Sequence, residues 1–219
     1  TPSEFTFDSF AKYGLEKKLF LNPYGSRISH FYPSKSKNYE TFQVLFVAQI
    51  HLQKGIFYLI EAFKKLKHPK KKLKIVGSIS SDIKDLFLKS LTDEIEYVGI
   101  VNNLQLKDFY SEANVFVLPS IEEGLAMVMG EALACGCPVI ATTNTGASSL
   151  FQDGKEGFII PIRSSEHIYL KLQLLADSKD LQKKMSLAAI DLTKKINGWG
   201  DYGLRWIIKI KEITETKGM

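Results

Sequence analysis

From residue 41 onward, short apolar runs alternate with stretches whose apolar positions recur at helical spacing. The runs are 43–48 (QVLFVA), 72–77 (KLKIVG), 95–99 (IEYVG), 115–119 (VFVLP), 138–142 (PVIAT) and 157–161 (GFIIP). Most are rich in β-branched or aromatic residues and bounded by Gly or Pro, the pattern of strands buried on both faces. Between them the spacing predicts helices near 54–67, 82–91, 103–112, 125–135 and 146–152. Strand, helix, strand at such short intervals requires crossover connections, and hence a parallel sheet covered on both sides. The expected fold class is therefore α/β, a doubly wound, Rossmann-like domain of about six strands.

Three further helices are expected at about 164–176, 178–196 and 201–216. The last carries Trp206, Ile207, Ile208, Ile210 and Ile213, an apolar stripe that has to be buried somewhere. Residues 1–40 break the alternation. Ser3 and Glu4 open a short helix through Phe5–Tyr13 that ends at Gly14, a strand-like Lys18–Asn22 follows, and a loop rich in Pro, Tyr, Gly and Ser runs to Lys37. One helix and one strand cannot make a domain, so this piece is expected to pack on something else.

Composition narrows the classes without naming a function. Of 219 residues, 45% are hydrophobic and 24% charged, which is ordinary globular usage. No run approaches the roughly 18 apolar residues of a membrane-spanning helix. The chain starts at Thr1 without the basic start and apolar core of a signal peptide, and a start without Met points to a piece of a longer protein. Cys135 and Cys137 are the only cysteines; they suit two small buried side chains in a reducing cytoplasm better than a disulfide framework or a zinc site. The net charge is +5, but lysine dominates and the only arginines are Arg27, Arg163 and Arg205. Nucleic-acid readers lean on arginine forks, so no nucleic-acid partner is expected. The densest basic run is Lys64, Lys65, Lys67, Lys70, Lys71, Lys72 and Lys74. It reads first as a solvated helix end and second as a surface for anionic lipid, a peripheral membrane contact.

In an open parallel sheet, ligands bind beyond the carboxyl ends of the strands, where helix N-termini point free N–H groups. Two such junctions carry suitable residues. In 47–55 (VAQIHLQKG), Lys54 and Gly55 open a helix, a natural phosphate site. In 119–131 (PSIEEGLAMVMGE), Glu123 precedes a glycine, Leu125 and Ala126 open a helix, and Glu131 follows two turns later. At 100° per residue an offset of eight leaves the two carboxylates about 80° apart, so both can border one cleft. Glu123 could simply stabilise the helix dipole. Glu131 sits among Ala126, Met127, Val128, Met129, Ala132, Leu133 and Ala134 on a helix that otherwise reads as buried all round, and a carboxylate there needs partners or a ligand hydroxyl. Dinucleotide, P-loop and nucleophile-elbow motifs are absent, as is a D-x-D pair, and the four histidines (His30, His51, His68, His167) stand apart in sequence. Metal-dependent catalysis is therefore not expected.

The stretch PSIEEGLAMVMGEALACGCPVIAT (119–142) resembles the signature of the family 4 glycosyltransferases, retaining nucleotide-sugar enzymes of the GT-B fold. The similarity extends to 47–63, 96–120, 151–161 and the segment LNPYGSRISHFYP (21–33), and so covers nearly the whole chain. In that family two Rossmann-like domains face each other, the first binding acceptor and the second the donor. The resemblance implies that residues 1–40 are a remnant of the first domain and the hinge, 41–197 the nucleotide-sugar-binding domain, and 198–219 a helix that packs back on the first domain. It further implies a metal-independent hexosyltransferase, cytoplasmic, that needs no cofactor beyond its nucleotide-sugar donor. The acceptor, a glycan or lipid, would be met through the missing half, so this chain alone is expected to be inactive. Carried over by position, Lys54 neutralises the donor diphosphate and Glu131 accepts hydrogen bonds from the ribose hydroxyls. Glu123, the expected catalytic carboxylate, holds the donor sugar and its phosphate together with the backbone of Gly124, Leu125 and Ala126, while backbone around Ile100 and Val101 meets the base. Two positions depart from the family: Gln49 stands where an Arg usually precedes the lysine, so diphosphate binding is expected to be weaker or differently arranged, and Ser149 stands where Glu is frequent. A nucleotide-sugar epimerase of the same fold, and a non-enzymatic subunit binding a partner or membrane through the lysine run, are the alternatives.

Overall fold

The computed structural model describes residues 1–24, 30–195 and 198–216. Six strands, β1 (Phe42–Val47), β2 (Lys71–Val76), β3 (Ile95–Gly99), β4 (Val115–Leu118), β5 (Val139–Thr142) and β6 (Gly157–Ile160), form one sheet in the order β3-β2-β1-β4-β5-β6. Every pairing is parallel. Each strand lies within a residue of its expected run at either end, because a strand buried on both faces is written as an unbroken apolar stretch.

The helices are α1 (Glu4–Ala11), α2 (Ile56–Lys65), α3 (Lys84–Ser90), α4 (Leu106–Glu112), α5 (Met127–Ala134), α6 (Ser165–Ala176), α7 (Lys179–Thr193) and α8 (Trp199–Thr216). They divide the core in two. Val44 and Phe46 of β1 face a cluster with Leu59 and Phe63 of α2, Phe87 of α3 and Leu172 and Leu175 of α6. Leu45 and Val47 face the opposite cluster, with Tyr110 of α4, Met129 and Leu133 of α5 and Ala189 of α7. The period-two alternation along β1 is what allows one strand to serve both layers. Cys135 and Cys137 are buried free thiols in the second cluster.

Three expectations are corrected. The helix expected over 146–152 is two short 3-10 turns, Thr143–Thr145 and Ala147–Ser149, parted by Gly146 in the left-handed region (φ 71°), which no continuous helix tolerates. Lys18–Asn22 joins no sheet: a 3-10 turn at Glu16–Lys18 runs into an extended segment whose Asn22 N–H donates to the Thr1 carbonyl (2.8 Å). Gly55 is the N-cap of α2, as expected, but Lys54 lies outside the helix. Lys54 ends a 3-10 turn and Gly55, also left-handed (φ 69°), reverses the chain before Ile56. Residues 25–29, inside the expected loop and including Arg27, residues 196 and 197, which end the expected helix and the expected donor domain, and residues 217–219 of the expected C-terminal segment lie outside the described residues.

α8 is held against the N-terminal segment. Arg205 Nε donates to Asn22 Oδ1 (2.6 Å) and its Nη2 to the Pro23 carbonyl (2.8 Å), while Phe20 packs edge-on to Trp206. Leu204, Ile207, Ile208, Ile210 and Ile213 remain about half exposed.

Candidate donor site

The sheet order makes β1 and β4 neighbours, although β1 is followed by α2 on one face and β4 by α5 on the other. The loops leaving these two strands therefore diverge, and a crevice opens beyond their carboxyl ends. It is a cavity of about 400 Å³, lined by Gln49, His51 and Lys54 from the first loop and by Glu123, Leu125 and Ala126 from the second, with the start of α5 behind.

Backbone contacts fix the two loops against each other. The Ile121 N–H donates to the Gln53 carbonyl (2.8 Å). Gly55 lies so close to Pro119 that a Cβ there would stand 2.0 Å from the Pro119 carbonyl oxygen. Lys54 and Glu123 are thereby brought together, and the ammonium bonds the carboxylate oxygen Oε1, to which Ser120 Oγ also donates (3.2 Å). Both side chains are about one-fifth exposed, at 21% and 19%. Glu123 thus serves as the counter-ion of Lys54.

That leaves the start of α5 open. Helices α1, α6 and α7 each begin with a serine whose hydroxyl accepts an N–H of the first turn: Ser3, Ser164 and Ser178. α5 begins after Ala126 with no side-chain cap and no acidic residue in its first turn, and Met127 and Val128 of that turn line the cavity, so the positive end of its dipole lies beside the cavity. A lysine beside an uncapped helix start is an anion site in chemical terms.

The remaining expected residues are placed differently. α5 is not buried all round: Met127 is 37% exposed and Val128 and Glu131 are half-buried, because this side of the helix borders the cavity mouth and α4. Glu131 does not line the cavity. Tyr110 Oη donates to its Oε2 (3.3 Å), the Asn103 side chain also bonds it, and burial raises its pKa above the ordinary carboxylate value. Ile100 is 79% exposed. Val101 lines a separate cavity of about 260 Å³ with Lys74, Gln105 and Glu112. Gly124 is exposed, and its carbonyl is turned toward α1.

The lysine run is largely spoken for within the chain. Lys65 pairs with Glu61 (2.9 Å), Lys71 with Glu94 (3.6 Å), Lys72 with Glu96 (2.7 Å) and Lys74 with Glu112 (3.4 Å).

The family model described as glycosyl transferases group 1 matches residues 28–191. The chain belongs to the group 1 glycosyltransferases. The chain is similar to the capsular polysaccharide biosynthesis glycosyltransferase CapM of Staphylococcus aureus, 30% identical over 155 residues that cover 66% of this chain and 39% of CapM. The chain spans half or less of the length of the curated glycosyltransferases it matches. Among solved structures, sucrose-phosphate synthase from Thermosynechococcus elongatus superposes with a TM-score of 0.84 at 22% identity, covering 99% of this chain and 58% of that one. HepE of Anabaena, solved in complex with UDP, gives 0.83 at 16% identity, covering 97% of this chain and 63% of that one. These likenesses establish that the group 1 glycosyltransferase chain has the GT-B type of Rossmann-like domain.

Sequence reasoning passed over His51, which lines the cavity beside Lys54. Its place beyond the end of β1 was the available signal, and its distance from the other histidines hid it. Tyr110 and Asn103 were missed as partners of Glu131 because they lie on α4 and the turn before it, far away in sequence.

Proposed function

We propose that this chain carries the donor site of a metal-independent, retaining glycosyltransferase that moves a hexose from a nucleoside-diphosphate sugar to a glycan or lipid hydroxyl. The observation that carries the reading is the pairing of Lys54 with an uncapped α5 N-terminus across one crevice at the switch point of the sheet. When the bond between the sugar and the diphosphate breaks, negative charge grows on the departing phosphate oxygens. A lysine and fixed N–H groups aimed at that position stabilise it without having to reorganise. Glu123 keeps the ammonium in place and, as the carboxylate nearest the cavity, is the group to hold the sugar hydroxyls. Glu131 and the turn at Ile100–Asn103 are the groups to meet the nucleoside: they lie outside the cavity itself, and the Asn103 side chain bonds Glu131. Binding of UDP by HepE favours a uridine nucleotide. The half-exposed stripe of α8 is the surface on which the rest of a longer protein, with its acceptor site, would pack. The reading places the site on the cytoplasmic side of any membrane that holds a lipid acceptor.

Calorimetric titration of the chain with UDP, GDP and ADP, with and without magnesium, tests this. One nucleotide should bind equally well in both conditions, and Lys54→Met should weaken it by about tenfold or more. Binding that requires magnesium, or that is indifferent to Lys54→Met, would overturn the assignment.

A further inference from the structure

The loop before α5 is fixed on both sides of one peptide but not at it by its own neighbours. The Glu123 N–H donates to the Asn144 carbonyl (2.8 Å) and the Ala126 N–H to the Thr145 carbonyl (3.4 Å). The Gly124–Leu125 peptide between them is held from the far end of the chain. The Ser3 hydroxyl donates to the Gly124 carbonyl, and Thr6 Oγ1 donates to the same oxygen (3.1 Å). Ser3 is fully buried, and its oxygen also accepts the Thr6 N–H (3.2 Å) as the cap of α1. The neighbouring Glu4 N–H donates to Ser149 Oγ (2.9 Å), which gives the serine at the family's frequent Glu position a definite task. The closure is tight. A Cβ on Gly146, whose φ is 71°, would stand 2.9 Å from the Gly124 oxygen and 3.0 Å from Ser3 Cβ.

A peptide unit is planar and trans, so the carbonyl of Gly124 and the N–H of Leu125 point in opposite directions. With the carbonyl drawn toward α1, the N–H is turned away from α1, and Leu125 itself lines the cavity. Among the described residues that N–H has no hydrogen-bond acceptor. Glycine leaves this peptide free to rotate unless something outside it intervenes, and the two hydroxyls remove that freedom before any ligand arrives. We infer that Ser3 and Thr6 are positioning residues of the phosphate site, acting through the Gly124 carbonyl to aim the Leu125 N–H at the diphosphate. The inference rests on the donor-site reading above and adds to it a requirement for the segment before Phe7.

The test compares wild type with Thr6→Val, Thr6→Ser and the double variant Ser3→Ala/Thr6→Val. Each is titrated with whichever of UDP, GDP and ADP binds, and with the matching nucleoside, which lacks phosphate. Thermal unfolding is followed in parallel. The double variant should lose about tenfold in affinity for the diphosphate while nucleoside affinity stays within about twofold, and Thr6→Ser should behave as wild type. A purely structural role would lower both affinities together or only the melting temperature. An unchanged ratio of diphosphate to nucleoside affinity in the double variant therefore refutes the inference while leaving the donor site standing. If the double variant does not fold, Thr6→Val decides by the same ratio, since it deletes one of the two bonds from a partly exposed side chain. Failure of wild type to bind any of the three nucleotides would overturn the donor site, and this inference with it.

Discussion

The crossing of the two loops at Gly55 is the part of the site most open to a stability test. Gly55→Ala adds a single methyl group, but that carbon would lie 2.0 Å from the Pro119 carbonyl oxygen and 2.8 Å from its carbon. Ordinary carbon–oxygen contacts fall near 3.3 Å, so the loops must part by about 1.3 Å. The position also has φ 69°, where any residue with a Cβ is strained. Left-handed strain of about 1 kcal/mol together with overpacking of about 1–3 kcal/mol predicts a loss of about 2–4 kcal/mol. For a chain of this size that lowers the urea midpoint by about 1–2 M, read by far-ultraviolet circular dichroism. The loss should extend to function, because Lys54 adjoins the altered residue and Glu123 lies on the loop it displaces. An increase in separation of about an ångström is enough to break a direct ion pair or a bond to a bound phosphate. A variant with an unchanged midpoint and unchanged nucleotide affinity would refute the reasoning, since it would mean that the two loops do not meet where the packing places them.

Two further predictions come from the buried ionisable groups. Burial raises the pKa of Glu131 in the folded chain, so the folded state binds more protons than the unfolded state between the ordinary carboxylate value and the raised one. Wild-type stability should therefore fall relative to Glu131→Gln as pH rises through that window and level off above it, and a difference in urea midpoint that stays constant from about pH 4 to 7 would contradict the assignment. Burial pushes the thiols of Cys135 and Cys137 up to about 12 and about 11. An aromatic disulfide reagent at about pH 8 should then titrate neither thiol in the native chain and both in denaturant, and rapid reaction of either in the native chain would show that it is not enclosed.

The fold was legible because its central elements obey local rules. Six strands buried on both faces appear as six apolar runs, and serines stand at the starts of α1, α6 and α7 where helices need an acceptor. The rules failed where tertiary contact overrides them. Residues 146–152 have helix-forming character, yet Gly146 is committed to the close approach of Gly124 and Ser3, and the segment breaks into turns around it. Lys18–Asn22 has strand-like composition but among the described residues pairs with no strand, and its hydrogen bonds go to Thr1 and to Arg205 of α8.

The site divides along the same line. Lys54, Glu123 and the start of α5 could be read from sequence because a switch point lies between strands whose order follows from the pattern of crossovers, and polar residues at strand ends stand out against apolar surroundings. Their relation to one another could not be read. Glu123 was expected to hold the donor, with a charge for the α5 dipole as its alternative role; the fold pairs it with Lys54. Glu131 looked like a carboxylate in search of a ligand; the fold supplies Tyr110 and Asn103 first, so a ribose would have to share or displace bonds that already exist. Gln49 removes one positive charge from the cavity compared with the arginine usual in the family, and Glu123 offsets another. If the donor-site proposal holds, recognition of a diphosphate here would depend on the direction of a few N–H groups more than on net charge. That makes the peptide at Gly124, and the two hydroxyls that orient it from the other end of the chain, count for more than their small size suggests.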